Sequence, residues 1–194
     1  MTAGAGKLAS THALVLLSGG IDSFVALTLL PSSWDREALF VDYGQPAAAL
    51  ERSASRAIAH ETGVRWREVV ASISEVPMRG EIVGRNALLF AIAHAAISGN
   101  QGSTLLVAGL HSGVPYSDCS PEFVEQSQRL LDIQSAGQVQ ISCPLLAWTK
   151  SDIIDYALGS SVDLSLTYSC EAGDADGCGN CESCLDRKRI DVRS

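Results

Sequence analysis

The sequence predicts an α/β protein with a doubly wound parallel sheet. Strand-like and helix-like patterns alternate along most of the chain, and the strands are continuous apolar runs instead of alternating ones. Strands of this kind are buried on both faces, so helices must cover both sides of the sheet. The composition agrees with one globular domain, because 46% of the 194 residues are hydrophobic.

The predicted elements follow one another in a regular order along the chain. Strands are expected at 13–17, 37–43, 67–72, 103–110 and 138–145. Helices are expected at 22–30, 46–62, 86–98, 121–133 and from a Thr149 cap to about 158. Since the helix at 86–98 is apolar on nearly every side, we expect it to be packed in the interior.

Ligands of an open parallel sheet bind beyond the carboxyl ends of its strands. The loops at 18–23, 43–46 and 109–120 lie where predicted strands end, so they should converge on one site. We expect one domain over residues 1–194, with an α/β core at 12–158 and a metal-binding segment at 159–194.

Charge and apolar patterning argue against several kinds of partner. A formal charge of −8 disfavours duplex nucleic acid, which usually binds to a basic face. No apolar run approaches the roughly 18 residues of a membrane span, and the first residues lack the pattern of an export signal. We therefore expect a cytoplasmic protein that binds neither a membrane nor duplex nucleic acid.

A glycine turn, Ser18-Gly19-Gly20-Ile21-Asp22-Ser23, separates the first strand from the first helix. Glycines let backbone N–H groups approach an anion, the helix start adds free donors and partial positive charge, and the two serines add hydroxyl donors. Asp22 suits a phosphate site if Mg²⁺ lies between the carboxylate and the phosphate. The alternative is an ordinary Gly-Gly turn in which Asp or Ser caps the helix.

Four cysteines lie within 15 residues near the carboxyl end, at positions Cys170, Cys178, Cys181 and Cys184. Four thiolates favour tetrahedral Zn²⁺, with an iron–sulfur cluster as the second choice. Because four sulfurs leave no open position for water, the metal should be structural. The alternative is four reduced cysteines without a metal. Cys143 lies in a predicted strand and should be a small buried core residue.

The glycine turn resembles the SGGxDS signature of the PP-loop ATP pyrophosphatases. Together with the cysteine tail, it resembles 7-cyano-7-deazaguanine synthase, the QueC family of queuosine precursor biosynthesis. Four more segments resemble family motifs in the same order: VDYGQ at 41–45, GRN at 84–86, YSDCSPEF at 116–123 and PLLAWTKSDII at 144–154. The similarity extends over about residues 12–188.

The resemblance implies a ligase that cleaves ATP between the α and β phosphates. In that family 7-carboxy-7-deazaguanine attacks the α-phosphorus, ammonia then displaces AMP to give an amide, and a second ATP activates the amide so that the nitrile forms. The implied cofactors are ATP, Mg²⁺ and Zn²⁺, and the implied assembly is a homodimer. The enzyme's contribution in each round is alignment and charge stabilisation.

The same resemblance assigns roles to individual residues. The nucleotide would be held by the loop and by side chains from three further segments: Ser18, Gly19, Gly20, Asp22, Ser23, Asp42, Tyr43, Arg85, Asn86 and Lys150. Of these, four would take part in catalysis: Asp22, Ser23, Arg85 and Lys150.

The implied substrate-binding residues are His111, Tyr116 and Asp118. Asp118 would accept hydrogen bonds from a guanine-like ring edge, and His111 would orient the substrate or move a proton. Three of the assigned roles have an ordinary alternative: Asp118 could be a loop-turn aspartate, Lys150 a solvated surface lysine, and Arg85 part of a structural ion pair.

Two departures from the family pattern concern the acceptor side of the expected site. Pro46-Ala47-Ala48-Ala49 replaces basic or histidine residues, and the segment at 72–83 is short. Both changes should open the site, so a second hypothesis is a QueC-like enzyme of the anti-phage defence type that joins a deazaguanine acid to a protein acceptor. A third hypothesis is a nucleotide-binding module without turnover.

Overall fold

The computed structural model describes residues 12–73, 82–97 and 103–193, with side chains through residue 190. Most of the short 72–83 segment, and the predicted helix end at residue 98, lie outside these ranges.

In the part of the chain that the structure describes, five parallel strands form one sheet in the order β3-β2-β1-β4-β5. They are β1 His12–Leu16, β2 Asp35–Asp42, β3 Arg65–Val70, β4 Thr104–Val107 and β5 Val139–Ser142. All five predicted strands are present and the prediction of a parallel sheet is confirmed. The strand order reverses between β1 and β4, which is where ligands of doubly wound sheets bind.

Within the described residues, six α-helices cover the sheet. They are α1 Ile21–Thr28, α2 Ala48–Glu61, α3 Arg85–Ile97, α4 Pro121–Ser135, α5 Lys150–Gly159 and α6 Glu182–Arg193. Within the described ranges, none of them is both long and apolar enough to cross a membrane. Alternate strand residues point to opposite faces, so Val15 packs with α1 and α5 in one core while Leu14 packs with α3 and α4 in the other.

The prediction that α3 is packed in the interior is wrong. Ala87, Ala91 and Ala95 are exposed and form a stripe on the solvent side of the helix, whereas Phe90 and Ala93 are buried against the sheet. Alanine favours helices strongly but leaves little apolar surface in water, so a run of alanines resembles a buried helix when only hydrophobicity is counted.

Helix α6 is not among the elements predicted from the sequence. Cys184 lies in its first turn, and Ile190 is buried in the same core as α1 and α5. Val162, from the connection between α5 and the cysteines, is buried in that core as well. The cysteine-rich segment therefore shares the main core instead of projecting from it.

Candidate functional site

The three predicted loops line one pocket at the carboxyl ends of the strands. The pocket has a volume of about 680 Å³, which is within the usual range for small-molecule sites. Most of the residues predicted for the nucleotide and the substrate line it: Ser18, Gly20, Asp22, Ser23, Tyr43, Arg85, Asn86, His111, Tyr116, Asp118 and Lys150. The predicted convergence of the loops is thus confirmed.

The glycine turn is held by its own serines. The Ser18 hydroxyl accepts a hydrogen bond from the Gly20 N–H at 3.3 Å and lies 3.2 Å from the Ser23 hydroxyl, which donates to the Gly20 carbonyl at 3.0 Å. Gly20 caps α1 with extended backbone and no side-chain cap bond. The free N–H groups at the helix start therefore face the pocket without a carboxylate or hydroxyl cap over them.

Two glycines allow the turn to lie close to its neighbours. A Cβ at Gly19 (φ +88°) would be 2.7 Å from the Glu51 carbonyl oxygen, and one at Gly109 would be 2.8 Å from the backbone of Asp22 and Ser23. Gly19 packs against α2 and does not line the pocket. Gly109 does line the pocket, although no sequence motif indicates a role for this residue.

Asp22 and Lys150 form an ion pair at one end of the pocket. The Lys150 Nζ lies 2.6 and 2.8 Å from the two carboxylate oxygens of Asp22. Lys150 is the first residue of α5, which starts with a capping box between Thr149 and Asp152, so the predicted Thr149 cap is confirmed. The capping box fixes the start of α5 and therefore the position from which the Lys150 side chain projects into the pocket.

His111 completes this end of the pocket. Its Nε2 lies 3.9 Å from an Asp22 oxygen, while its buried Nδ1 has no hydrogen-bond partner among the described residues. Burial lowers the pKa of His111, and the nearby Asp22 carboxylate only partly offsets this effect. The imidazole is therefore favoured in its neutral form, which can accept or donate a proton.

A second carboxylate reaches Lys150 from α6. The Asp186 Oδ2 lies 3.9 Å from the Lys150 Nζ, and its other oxygen accepts a hydrogen bond from Arg189 at 2.9 Å. Asp186 lines the pocket. The pattern of this segment predicts only a glycine- and cysteine-rich tail, because the charged run after Cys184 does not indicate that α6 packs beside the glycine turn.

The start of α3 forms the opposite wall of the pocket. Asn86 is 3% exposed, and its N–H donates to the Asp118 carboxylate at 3.2 Å while its side-chain amide donates to the Asp118 carbonyl at 3.1 Å. Asn86 thus holds the 117–119 turn against α3. Arg85, the first residue of the helix, lines the pocket beside them.

Tyr43, Gln45 and Glu51 form a third group on this wall. The buried Gln45 accepts a hydrogen bond from the Tyr43 N–H at 2.9 Å and donates to the Glu51 carboxylate at 2.8 Å. Burial raises the pKa of Glu51 even though Gln45 and the charge of Arg85 lower it. In the sequence, Gln45 stands out only as part of the VDYGQ motif. Glu51 follows a run of alanines, and no motif there indicates that its side chain lines a site.

Asp42 does not line the pocket. One carboxylate oxygen accepts a hydrogen bond from the Gly44 N–H at 2.9 Å, and the other is paired with Arg52, which also contacts Glu68 at 2.6 Å. These contacts tie the carboxyl end of β2 to α2 and β3. The predicted role of Asp42 in nucleotide binding therefore has no direct geometric basis.

The four cysteines form a candidate metal centre. The Sγ atoms of Cys170, Cys178, Cys181 and Cys184 all lie within 4.8 Å of one another. Four sulfurs around Zn²⁺, with Zn–S bonds of about 2.3 Å, are roughly 3.8 Å apart, so the set fits a tetrahedral ion after a small contraction. Gly179 (φ +71°) makes the turn between the second and third cysteines.

The segment that carries the cysteine cluster contacts the pocket directly. The Tyr168 N–H donates to the Gly19 carbonyl at 3.0 Å, and a Cβ at Gly173 would lie 2.4 Å from the Pro46 carbonyl oxygen. The segments on either side of Cys170 therefore contact the glycine turn and the loop after β2. Tyr168 and Pro46 also line the pocket.

Fold and site define a class of α/β proteins in which a Ser-Gly-Gly turn at the switch point of a parallel sheet is joined to a carboxyl-terminal cysteine cluster. Within that class the chain belongs to the family described as "Queuosine biosynthesis protein QueC", whose family model matches residues 12–78 and 70–190. The prediction of this family is confirmed.

Curated relatives carry the name 7-cyano-7-deazaguanine synthase. The protein from Methanothermobacter thermautotrophicus is 28% identical over 206 residues, which covers 92% of this chain and 93% of that protein. The one from Koribacter versatilis is 32% identical over 207 residues, which covers 91% and 87% respectively.

Two solved structures share the fold at low sequence identity. The U34-tRNA thiolase NcsA from Methanococcus maripaludis, solved with its [4Fe-4S] cluster, superposes with a TM-score of 0.57 and 15% identity over 97% of this chain and 66% of that one. A predicted tRNA methyltransferase subunit from Methanocaldococcus jannaschii gives a TM-score of 0.50 and 15% identity, covering 74% and 73%.

Proposed function

We propose that the chain is an ATP-dependent ligase of the 7-cyano-7-deazaguanine synthase type. The substrate carboxylate of 7-carboxy-7-deazaguanine attacks the α-phosphorus of ATP, pyrophosphate leaves, and ammonia displaces AMP to give the amide. A second ATP activates the amide oxygen, and loss of AMP leaves the nitrile. The curated relatives named for this reaction support the proposal.

The two chemically different ends of the pocket carry this proposal. One end has helix N–H groups, hydroxyls and the Lys150 ammonium, which suit the outer phosphates of ATP. The other end has the Arg85 guanidinium and the Asp118 carboxylate, which suit an acid attached to a guanine-like ring. A single pocket of this kind can bring a carboxylate to an α-phosphorus.

In this mechanism the glycine turn holds the leaving pyrophosphate. The N–H groups at the start of α1 and the hydroxyls of Ser18 and Ser23 donate to the phosphate oxygens, and Lys150 offsets the charge that develops there. Arg85 orients the substrate carboxylate, and Asp118 accepts from the N–H edge of the ring. Tyr43 and Tyr116 border the ring, and neutral His111 can move a proton near the phosphates.

Two metals belong to the proposal. Asp22 has the oxygen donors that Mg²⁺ prefers and lies beside the phosphate end, so it would hold Mg²⁺, which offsets phosphate charge when bound. The four cysteines would hold Zn²⁺ in a closed, structural site. An iron–sulfur cluster is the alternative occupant of the cysteine site.

The test is incubation of the purified chain with ATP, Mg²⁺, ammonia and 7-carboxy-7-deazaguanine. We expect AMP and pyrophosphate, with the acid converted first to the amide and then to the nitrile by mass spectrometry. ADP and orthophosphate as the products would overturn the proposal. AMP formation that requires an added protein, with a matching mass increase on that protein, would instead identify a protein acceptor.

A further inference from the structure

Glu51 is a carboxylate in the pocket that neither the sequence motifs nor the comparisons assign. It lies in the first turn of α2, and its Oε2 accepts a hydrogen bond from the Gln45 Nε2 at 2.8 Å. Gln45 is 7% exposed, and its remaining bonds are to backbone groups of Val41 and Tyr43. Gln45, in the loop after β2, therefore fixes the position of the Glu51 carboxylate.

This carboxylate has no close cation among the described residues. Within those ranges, no Lys, Arg or His nitrogen forms an ion pair with it at 4.0 Å or less. The charged and titratable groups that influence it and its neighbour Tyr43 are Arg85 of α3, Asp42 of β2 and Glu171 of the cysteine segment. A carboxylate lodged in a pocket without a cation partner favours binding of a small cation there.

The position of Glu51 relative to Arg85 suits the second step of the proposed reaction. In the proposed function, on which this inference rests, Arg85 orients the substrate carboxylate. Arg85 and Glu51 both line this pocket, and the charge of Arg85 acts to lower the pKa of Glu51. An incoming nitrogen must reach the carbon of that carboxyl group, and Glu51 borders the approach.

Ammonia in neutral solution is mostly ammonium, which has no lone pair with which to attack. Another group must take the proton inside the pocket. His111 lies beside Asp22 at the phosphate end, Asp118 is held by the Asn86 N–H, and Glu171 accepts from the Ser183 hydroxyl at 3.0 Å. Glu51 is the carboxylate that combines pocket exposure, a fixed orientation and an unengaged Oε1 among the described residues.

We propose that Glu51 binds the ammonium ion beside the adenylated carboxyl group and accepts one of its protons. This deprotonation leaves ammonia next to the carbon of the adenylated carboxyl group. Ammonia attacks that carbon to form the C–N bond, and the C–O bond to AMP breaks with its electron pair leaving on the AMP phosphate. Glu51 passes its proton to solvent through the open side of the pocket, and the second proton lost by the nitrogen follows the same route. Atoms and charges balance without another reactant.

The experiment compares three reactions of the wild-type chain and Glu51→Gln. Substrate-dependent exchange of labelled pyrophosphate into ATP reports adenylation alone. Amide formation with ammonia reports the proposed step. Hydroxamate formation with hydroxylamine, which is mostly neutral at the same pH, reports attack by a nucleophile that needs no prior deprotonation. The glutamine side chain keeps an oxygen that can accept the hydrogen bond from Gln45, so the fold should be retained.

We expect Glu51→Gln to keep pyrophosphate exchange and hydroxamate formation but to lose about 100-fold in amide formation, which should recover as rising pH supplies free ammonia. Glu61→Gln, at the exposed end of the same helix, should leave all three unchanged. Equal losses with ammonia and hydroxylamine, or no loss with ammonia, would overturn the inference. Absence of pyrophosphate exchange in the wild-type chain would instead overturn the proposed function.

Discussion

The Lys150 ammonium contacts both carboxylate oxygens of Asp22, at 2.6 and 2.8 Å, across 128 residues of sequence. This ion pair joins the first turn of α1 to the first turn of α5, two of the helix starts that border the pocket. Since both side chains are partly exposed, water weakens the pair, and its main consequence is to fix the direction of the Lys150 side chain.

Lys150→Met should weaken ATP binding by roughly tenfold or more, because a charge-assisted contact to phosphate is removed. Lys150→Arg should retain part of the affinity for ATP, since it keeps the positive charge but replaces a compact ammonium with a planar guanidinium. The measurement is equilibrium binding of Mg-ATP. An affinity for ATP that is the same in Lys150→Met and the wild-type chain would show that this lysine does not reach the phosphates.

Asp186→Asn tests whether α6 helps to position Lys150. The two charged groups are 3.9 Å apart, so we expect a smaller effect than for Lys150→Met, about threefold on the affinity for ATP, with unchanged metal content. Asp176→Asn, an exposed aspartate of the same segment, is the matched control. Equal affinities for ATP in the two variants would show that the contact between Asp186 and Lys150 has no influence on nucleotide binding.

Much of the fold could be predicted from the sequence, because the strands are continuous apolar runs and the turns contain glycine or proline. The strands and the first five helices are found within a few residues of their predicted positions. α6 was missed because its pattern is short and charged, and its burial depends on contacts made by Ile190 with distant helices. β4 ends at Val107, earlier than predicted, and Gly109 beyond it lies close to the backbone of Asp22 and Ser23 in α1.

The site was predictable only where residues form local motifs. Ser18, Asp22 and Lys150 lie at helix starts that the sequence marks clearly, and they do line one pocket. Glu51 and Asp186 reach the same pocket through tertiary packing, which leaves no trace in local sequence. Asp42 sits in a conspicuous motif, but Arg52, one helical turn into α2, engages its carboxylate.

Removal of the metal should weaken nucleotide binding before it unfolds the core. Tyr168 is bonded to Gly19 and α6 forms part of the pocket wall, so a disordered cysteine segment would free the glycine turn. Cys178→Ser should lower the metal content and the affinity for ATP, whereas Cys143→Ser should change neither. Metal analysis and visible absorption also distinguish zinc from an iron–sulfur cluster. Full ATP affinity without metal would contradict this coupling.

Gly109→Ala should displace the start of α1. Its Cβ would lie 2.8 Å from backbone atoms of Asp22 and Ser23, which cannot move away as a flexible side chain could. We expect a loss of about 1–3 kcal/mol in the free energy of unfolding, together with weaker ATP binding. Gly159→Ala, where nothing lies within 4 Å, is the control and should leave both quantities nearly unchanged. Equal stability of the two variants would show that the contact relaxes at little cost.

Glu51→Gln should make the folded protein more stable near neutral pH. Burial raises the pKa of Glu51 above its ordinary value of 4.5, so the native state binds more protons than the unfolded state between the ordinary and the raised pKa. The Glu51 contribution to stability therefore falls as pH rises through that window, and it is unfavourable above it. In urea unfolding, the free energy of unfolding of the variant should rise relative to that of the wild-type protein as the pH is raised. The two free energies should converge near pH 4.5. A gap between the two proteins that does not change with pH would mean that the carboxylate titrates normally, and a pocket base with a raised pKa would then have to be sought elsewhere.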